Sequence, residues 1–251
     1  MNNNTFFKFE EPLIEGIIVK RKSQFTMICE IDGETQTCHC PTTGRIGNIE
    51  LASRPCLLSK STDPKRKTPY TVEAISLNLP EDNNKTWIGI NQNAANRYVE
   101  YFLVNGGFKD MIGSENKVLR EQVLGISKLD FLVGDTYIEV KTPLQNLQID
   151  YPDYIKTKKV TPFSSTDRFV KHITELGNSL EHNERAILLI CFIYDNPGFE
   201  VKQKSTNSKE VKAIVNRNID LGVETWQVNF KIEPDGVTLM KYFRNTNIIK
   251  E

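Results

Sequence analysis

The sequence lacks a surplus of charge of either sign: 32 Lys and Arg face 32 Asp and Glu over 251 residues. That balance excludes the global basic field of a histone-like or coating protein, although local basic patches suffice for phosphate contacts. An even cysteine set is also lacking. Cys29, Cys38, Cys40, Cys56 and Cys191 make five, which in a chain this long argues against a disulfide framework and for a reducing cytoplasm. No basic segment followed by an apolar stretch opens the chain, so no signal peptide is expected. The longest apolar run, Ala186 to Tyr194, is far too short for a membrane helix. These absences predict a cytoplasmic protein with no membrane partner. Internal repeats are missing too, and low complexity is confined to the Asn-rich first residues. What remains, 39% hydrophobic and 25% charged residues, is enough for one large domain or two small ones.

The first 80 residues read as short strands separated by turns. Gly16–Lys20, Phe25–Ile31, Thr35–His39, Pro55–Ser59 and Thr68–Ser76 are β-prone, and Asp32-Gly33 supplies a hairpin turn. Five short strands with no helical period suit a small barrel of the OB type. Between Gly16 and Val72, nine basic residues face five acids. The clusters Lys20-Arg21-Lys22 and Lys65-Arg66-Lys67 read either as solvated turns or as a phosphate-tracking groove on the barrel. Cys38-His39-Cys40 is not read as a zinc site, because adjacent strand residues point to opposite faces and no second Cys/His pair has ligand spacing. From Asn91 the pattern becomes helix (91–105), strands at 118–124, 129–133 and 136–141, and a polar loop from Thr142 to Pro162. A helix (165–180), a buried strand (186–194), a helix (211–221) and a last strand (223–230) follow. That order predicts an α/β domain with a mixed sheet. Lys156, Lys158 and Lys159 fall in the polar loop and read as a solvated run.

The segment Leu129 to Lys141 carries the chemistry. A two-residue turn at Gly134-Asp135 places Asp130 directly opposite Glu139 on neighbouring antiparallel strands, with Lys141 on the same face as Glu139. Leu129, Phe131, Val133, Ile138 and Val140 form the apolar face. Two carboxylates across a strand pair repel, and one amine cannot neutralise both. A divalent cation such as Mg²⁺ (or Mn²⁺) would, and its hard-oxygen preference matches Asp130 and Glu139. Such a site would act on a scissile phosphate, with Lys141 on the attacking water or the phosphoryl group. The competing reading is a solvated face with a Glu–Lys–Asp network.

The pattern Asp, nine residues, Glu-Val-Lys resembles the PD-(D/E)XK nuclease signature. His39-Cys40-Pro41-Thr42-Thr43-Gly44, Leu58-Ser59-Lys60-Ser61, Pro64-Lys65-Arg66-Lys67, Tyr70-Thr71-Val72-Glu73 and Gly89-Ile90-Asn91 with Ala95-Asn96-Arg97 resemble successive motifs of the sugar fermentation stimulation protein A family. Glu121, Leu129-Asp130-Phe131, Ile138-Glu139-Val140-Lys141, Arg168 and Lys171-His172 continue the match in the same order. The chain departs from that family at Thr42, at Phe169-Val170 and at Pro162-Phe163-Ser164-Ser165.

The resemblance implies an α/β (α+β) protein. An OB-like nucleic-acid-binding β-barrel over residues 1–84 would precede a restriction-endonuclease-like catalytic domain with a mixed sheet over 85–251. It implies a metal-dependent DNA/RNA nuclease with sequence-nonspecific DNA binding, and RNA as a second partner. Nucleases of this class often act as dimers, which makes a homodimer an expectation. Glu121 would assist Asp130, Glu139 and Lys141, while Arg168, Lys171 and His172, at i, i+3 and i+4 of one helix, would contact the substrate backbone. The alternative is a non-catalytic DNA-binding protein regulating transcription of sugar metabolism, which needs the basic clusters but not the hairpin.

Overall fold

The computed structural model describes residues 5–42, 44–113, 117–159, 162, 166–201 and 205–246. Thr43 of the Thr42-Thr43-Gly44 motif and Phe163-Ser164-Ser165 lie outside the described residues. In chain order the first strands are β1 (Phe6–Lys8), β2 (Ile14–Ser23), β3 (Thr26–Ile31), β4 (Glu34–His39), β5 (Pro55–Lys60), β6 (Tyr70–Ser76) and β7 (Trp87–Gly89). Then come α1 (Gln92–Val104), α2 (Lys109–Ile112), β8 (Val118–Leu124), β9 (Ser127–Val133) and β10 (Thr136–Lys141). The remainder is α3 (Asp167–Ser179), β11 (Arg185–Phe192), α4 (Ser208–Asp220), β12 (Glu224–Glu233) and β13 (Gly236–Arg244).

Strands β2 to β6 form an OB-like closed barrel. Their order is β4-β3-β2-β5-β6, and β4 closes onto β6 in parallel through Cys38↔Tyr70 and His39↔Thr71. Closure leaves these five strands a shared interior, filled by alternate side chains such as Ile18, Met27, Cys29, Cys38, Leu58 and Val72, all fully buried. The Asp32-Gly33 turn has positive φ at both residues, 51° and 79°, as a tight hairpin of this twist requires.

The second unit is a seven-stranded mixed sheet ordered β1-β13-β12-β11-β10-β9-β8. Its centre, β10, β11 and β12, is parallel, and the flanking pairs are antiparallel. Helix α1 covers one face, where Tyr98 and Phe102 pack with Phe131, Ile138 and Phe230. The other face lies under α3 and α4, with Ile173, Leu176 and Val215 in a cluster that includes Tyr137, Leu188 and Ile190. Among the described residues no helix is long and apolar enough to cross a membrane.

Several elements differ from the sequence expectation. β12 is not the last strand: it runs to Glu233 and returns as β13, whose register slips between Asn229 and Phe230. The slip and the half-exposed second half of β13 blur the period-two pattern that would have revealed it. β7 adds to the barrel sheet through β6, while β1 pairs with β13 of the other sheet. The division expected at residues 84 and 85 therefore falls between two strands of one sheet, and residues 6–8 sit in the other. The two units meet closely. Gly89 N–H donates to Ile193 O at 2.8 Å, and a Cβ on Gly89 would lie 2.3 Å from Ile193 Cγ2.

Candidate active site

The hairpin forms as its turn chemistry dictates. Gly134 has φ 58°, a value that glycine adopts without strain, and the ladder pairs Val133 with Thr136, Leu132 with Tyr137 and Phe131 with Ile138. Its tip is fastened: Asp135 accepts from Asn183 Nδ2 at 2.7 Å and from Glu184 N–H at 3.0 Å. The next positions in this register are Asp130 and Glu139. There the ladder stops, and Asp130 Oδ2 itself accepts the Val140 N–H at 2.8 Å. A carboxylate thus replaces a backbone partner where the strands part. Asp130 Oδ1 accepts from Asn96 Nδ2 of α1 at 2.7 Å. Each oxygen keeps a lone pair for a further ligand.

Glu139 is only 1% exposed, because α3 lies over this face. The solvated-face reading of the hairpin does not hold for it. Its Oε1 receives both the Lys141 ammonium and His172 Nδ1, and its Oε2 is buried with no hydrogen-bond partner among the described residues. A buried carboxylate oxygen left unpaired is costly, and native folds rarely tolerate one without a reason. Asp130 feels the same crowding. Burial and the Glu139 charge push its carboxyl above the usual range, against the opposing pull of Val140 N–H, Lys141 and Asn96.

This donor set fits a hard divalent cation. It offers one orphaned oxygen on Glu139 and spare lone pairs on Asp130. Among the described residues no group of three or more His, Cys, Asp and Glu is placed to hold a metal ion, so the protein's own ligands here would be these two carboxylates. Two carboxylates with the remaining positions left to water and substrate oxygens is the mode Mg²⁺ favours.

Helix α1 links this pair to the barrel. Asn91 caps it, accepting from Asn93 and Ala94 N–H at 3.1 Å, and donates from Nδ2 to Glu73 Oε2 at 2.7 Å. Glu73 is buried in β6 and also accepts from Ser59 at 2.6 Å. Gln92, one turn before Asn96 on the helix, accepts from Thr42 Oγ1 at 2.8 Å and donates to Thr142 O at 2.7 Å. Sequence reasoning gave Gln92 and Asn96 no role; their i, i+4 spacing was the available signal. The loop after β10 is fixed further along, where Gln148 donates to Glu200 O at 2.9 Å and accepts from Asn196 and Glu200 N–H.

The other sequence candidates scatter. Glu121 lies in edge strand β8 with φ 51°, at the position the ladder to β9 skips without a change of register, exposed and paired with Lys128 at 2.6 Å. That pairing holds its carboxyl below the usual range and leaves it engaged away from the Asp130–Glu139 pair. On α3, Arg168 and Lys171 are exposed, and Lys171 donates to Ile126 O at 2.7 Å. His172 is instead buried against Glu139, off the exposed face that carries Arg168 and Lys171. A step of 100° per residue separates Lys171 from His172, enough to turn one outward and the other inward. Lys20 and Lys22 are exposed on β2, whereas Arg21 is spent on carbonyls, donating to Thr42 O and Gly44 O at 2.7 Å and Gln24 O at 3.0 Å. Cys40 Sγ also reaches Thr42 O, so His39-Cys40 leads into a fastened turn. Lys65 and Lys67 are exposed in the β5–β6 loop, and Arg66 donates to Thr71 Oγ1 at 2.9 Å.

Comparison with known proteins places these features in a family. Residues 19–90 match the SfsA N-terminal OB domain and residues 93–236 the sugar fermentation stimulation protein RE domain. A sugar fermentation stimulation protein homolog of Microcystis aeruginosa is 32% identical over 236 residues, covering 90% of this chain and 91% of the relative. One from Pseudoalteromonas atlantica is 33% identical over 243 residues, covering 92% and 96%. The structure of Pyrococcus furiosus SfsA in complex with Ca²⁺ superposes with a TM-score of 0.73 at 16% identity, over 96% of this chain and 98% of that one. The fold is shared across that distance.

Proposed function

The chain belongs to the sugar fermentation stimulation protein family, and from that footing we propose that it is a nuclease hydrolysing phosphodiester bonds of DNA or RNA with Mg²⁺ or Mn²⁺ held by Asp130 and Glu139. The observation that carries this reading is the buried, unpartnered Oε2 of Glu139 beside an Asp130 whose carboxyl is crowded by it. That the Pyrococcus furiosus relative was solved with Ca²⁺ is in keeping with a divalent cation. Such a cation supplies charge neutralisation for the phosphoryl oxygens and lowers the pKa of a bound water.

The chain's own residues do the rest. Asn96 and the Val140 N–H hold the Asp130 carboxylate in place by one bond to each oxygen. His172 and Lys141 occupy Oε1 of Glu139, so the carboxylate cannot turn its free oxygen away without losing both. Lys141, about a quarter exposed, brings the positive charge that a phosphoryl group gaining negative charge requires. The barrel would bind nucleic acid without sequence preference. The five cysteines are free and buried, which suits work in the cytoplasm.

The test is Asp130→Asn, assayed on end-labelled single-stranded DNA, duplex DNA and RNA with Mg²⁺, Mn²⁺ or EDTA. Metal-dependent cleavage by the wild type should fall at least 100-fold in the variant, with oligonucleotide binding retained. Binding by folded wild-type protein with no cleavage of any substrate would sink the nuclease reading and favour a non-catalytic DNA-binding regulator.

A further inference from the structure

A cleft of about 480 Å³ opens where the barrel meets the loop that follows β10. Its charged lining is Lys20 and Arg21 from β2, Arg45 and Glu50 from the segment after β4, and Lys158 and Lys159 from the far unit. Five cations thus face one carboxylate. The lysines at 158 and 159 are exposed, as a solvated run would be, but their backbone is tied down. Thr157 bridges to Ile49, Lys158 N–H donates to Asn48 O at 2.5 Å, and Glu50 N–H donates to Lys156 O at 2.9 Å. Charges from both units are therefore held across the cleft by a paired backbone rather than left to drift apart.

Like charges fixed together repel, and little here offsets them. Among the described residues Lys20, Arg21, Lys158 and Lys159 form no ion pair, and the three acceptors of Arg21 are neutral carbonyls that aim its guanidinium without cancelling its charge. An anionic ligand would relieve this. Short bonded paths connect the cleft to the carboxylate pair. Gly47 N–H donates to Leu144 O at 2.6 Å, and Leu144 is three residues beyond Lys141, about 10 Å of extended chain at most. On the other flank, Arg21 holds Thr42, Thr42 holds Gln92, and Gln92 holds Thr142, the neighbour of Lys141.

We infer that this cleft seats the phosphate backbone of a single nucleic-acid strand and delivers it to the Asp130–Glu139 pair, an inference that rests on the phosphodiester chemistry proposed above. A volume of this size seats one or two nucleotides, and the backbone of a flexible single strand can dip into it more readily than that of a stiff duplex. The barrel and the sheet then grip the strand jointly, through side chains far apart in sequence.

The test measures binding of a labelled single-stranded oligonucleotide to the full chain by fluorescence anisotropy, in EDTA, across a salt series. Lys158→Ala/Lys159→Ala should weaken binding about 10-fold at 0.1 M salt. It should also flatten the slope of log affinity against log salt by about 1.4, the share of two single-strand phosphates. Lys209→Ala/Lys212→Ala on α4 should change neither. The milder Lys158→Gln/Lys159→Gln repeats the measurement if the alanine variant melts early. Wild-type affinity and slope in the cleft variant would overturn the inference. So would an equal loss for duplex, or binding of inorganic phosphate without binding of the oligonucleotide. Because EDTA separates binding from cutting, a wild type that binds through these lysines yet never cleaves removes the nuclease reading and keeps the cleft. One that cleaves with unaltered variant binding does the reverse.

Discussion

His172 and Lys141 meet the same oxygen of Glu139, and the asymmetry matters because it decides which oxygen is left without a partner and open to the proposed cation. Groups that orient a metal ligand from behind typically control affinity by 10- to 100-fold. His172→Ala should therefore lower Mn²⁺ affinity of the full chain by about that factor, read by titration calorimetry without substrate. His172→Gln, which keeps a side-chain donor, should recover part of it. Unchanged Mn²⁺ affinity in a folded His172→Ala protein would remove the positioning role. The opposition of Asp130 and Glu139 was legible in the sequence, because a tight turn fixes its own register and only arithmetic is then needed. His172 was not, since its approach depends on how α3 settles over β10. No local period encodes a contact across 33 residues. The ion pair of Glu121 was not legible for a different reason: a positive φ turns it toward Lys128, and such a local backbone outlier leaves no clear mark in residue type.

At the scale of elements, the parallel centre of the sheet is fastened at its entry. Arg185 opens β11 and Glu224 opens β12, joined by two hydrogen bonds of 2.7 and 2.9 Å, while Trp226 adds a third to the carboxylate at 2.8 Å. Burial pushes the Glu224 carboxyl up, but the Arg185 and Trp226 hydrogen bonds outweigh it and hold the group below its ordinary value. A carboxyl depressed in the fold adds stability above its unfolded value, roughly 4.3, and that share is lost as pH falls through the folded value. Glu224→Gln should therefore cost about 2 kcal/mol at pH 7, with the gap to wild type closing toward pH 3, as followed by thermal melts at each pH. Equal deficits at both ends would contradict the assignment. Long elements such as α1, β10 and β11 carry enough period or apolar length to be seen in advance. β1 and β7, three residues each, exist only because a neighbour offers hydrogen bonds, so the sequence holds no pattern for them.

The whole molecule works as two units closed over one joint. Ser59, Glu73 and Asn91 form a hydrogen-bonded chain from barrel to helix, and Gly89 lets β7 approach Ile193. Several motifs that the sequence analysis tied to the family resemblance meet here. Gly89→Ala must move Ile193 or part the units. It should lower stability by about 1–3 kcal/mol, a fall of several degrees in melting temperature by calorimetry. An unshifted melt would show that the joint yields freely. β1 crosses that joint the other way: it precedes the barrel in the chain yet pairs with β13, with Phe7 set among Tyr98 and Tyr101. On the ribosome this strand emerges before its partner exists. The barrel can close behind it while Phe7 waits unpaired, and a chain halted before β13 cannot fasten its own beginning. Cutting the gene between barrel and sheet would likewise strip an edge strand from the seven-stranded sheet, so the two halves are made to be inherited together.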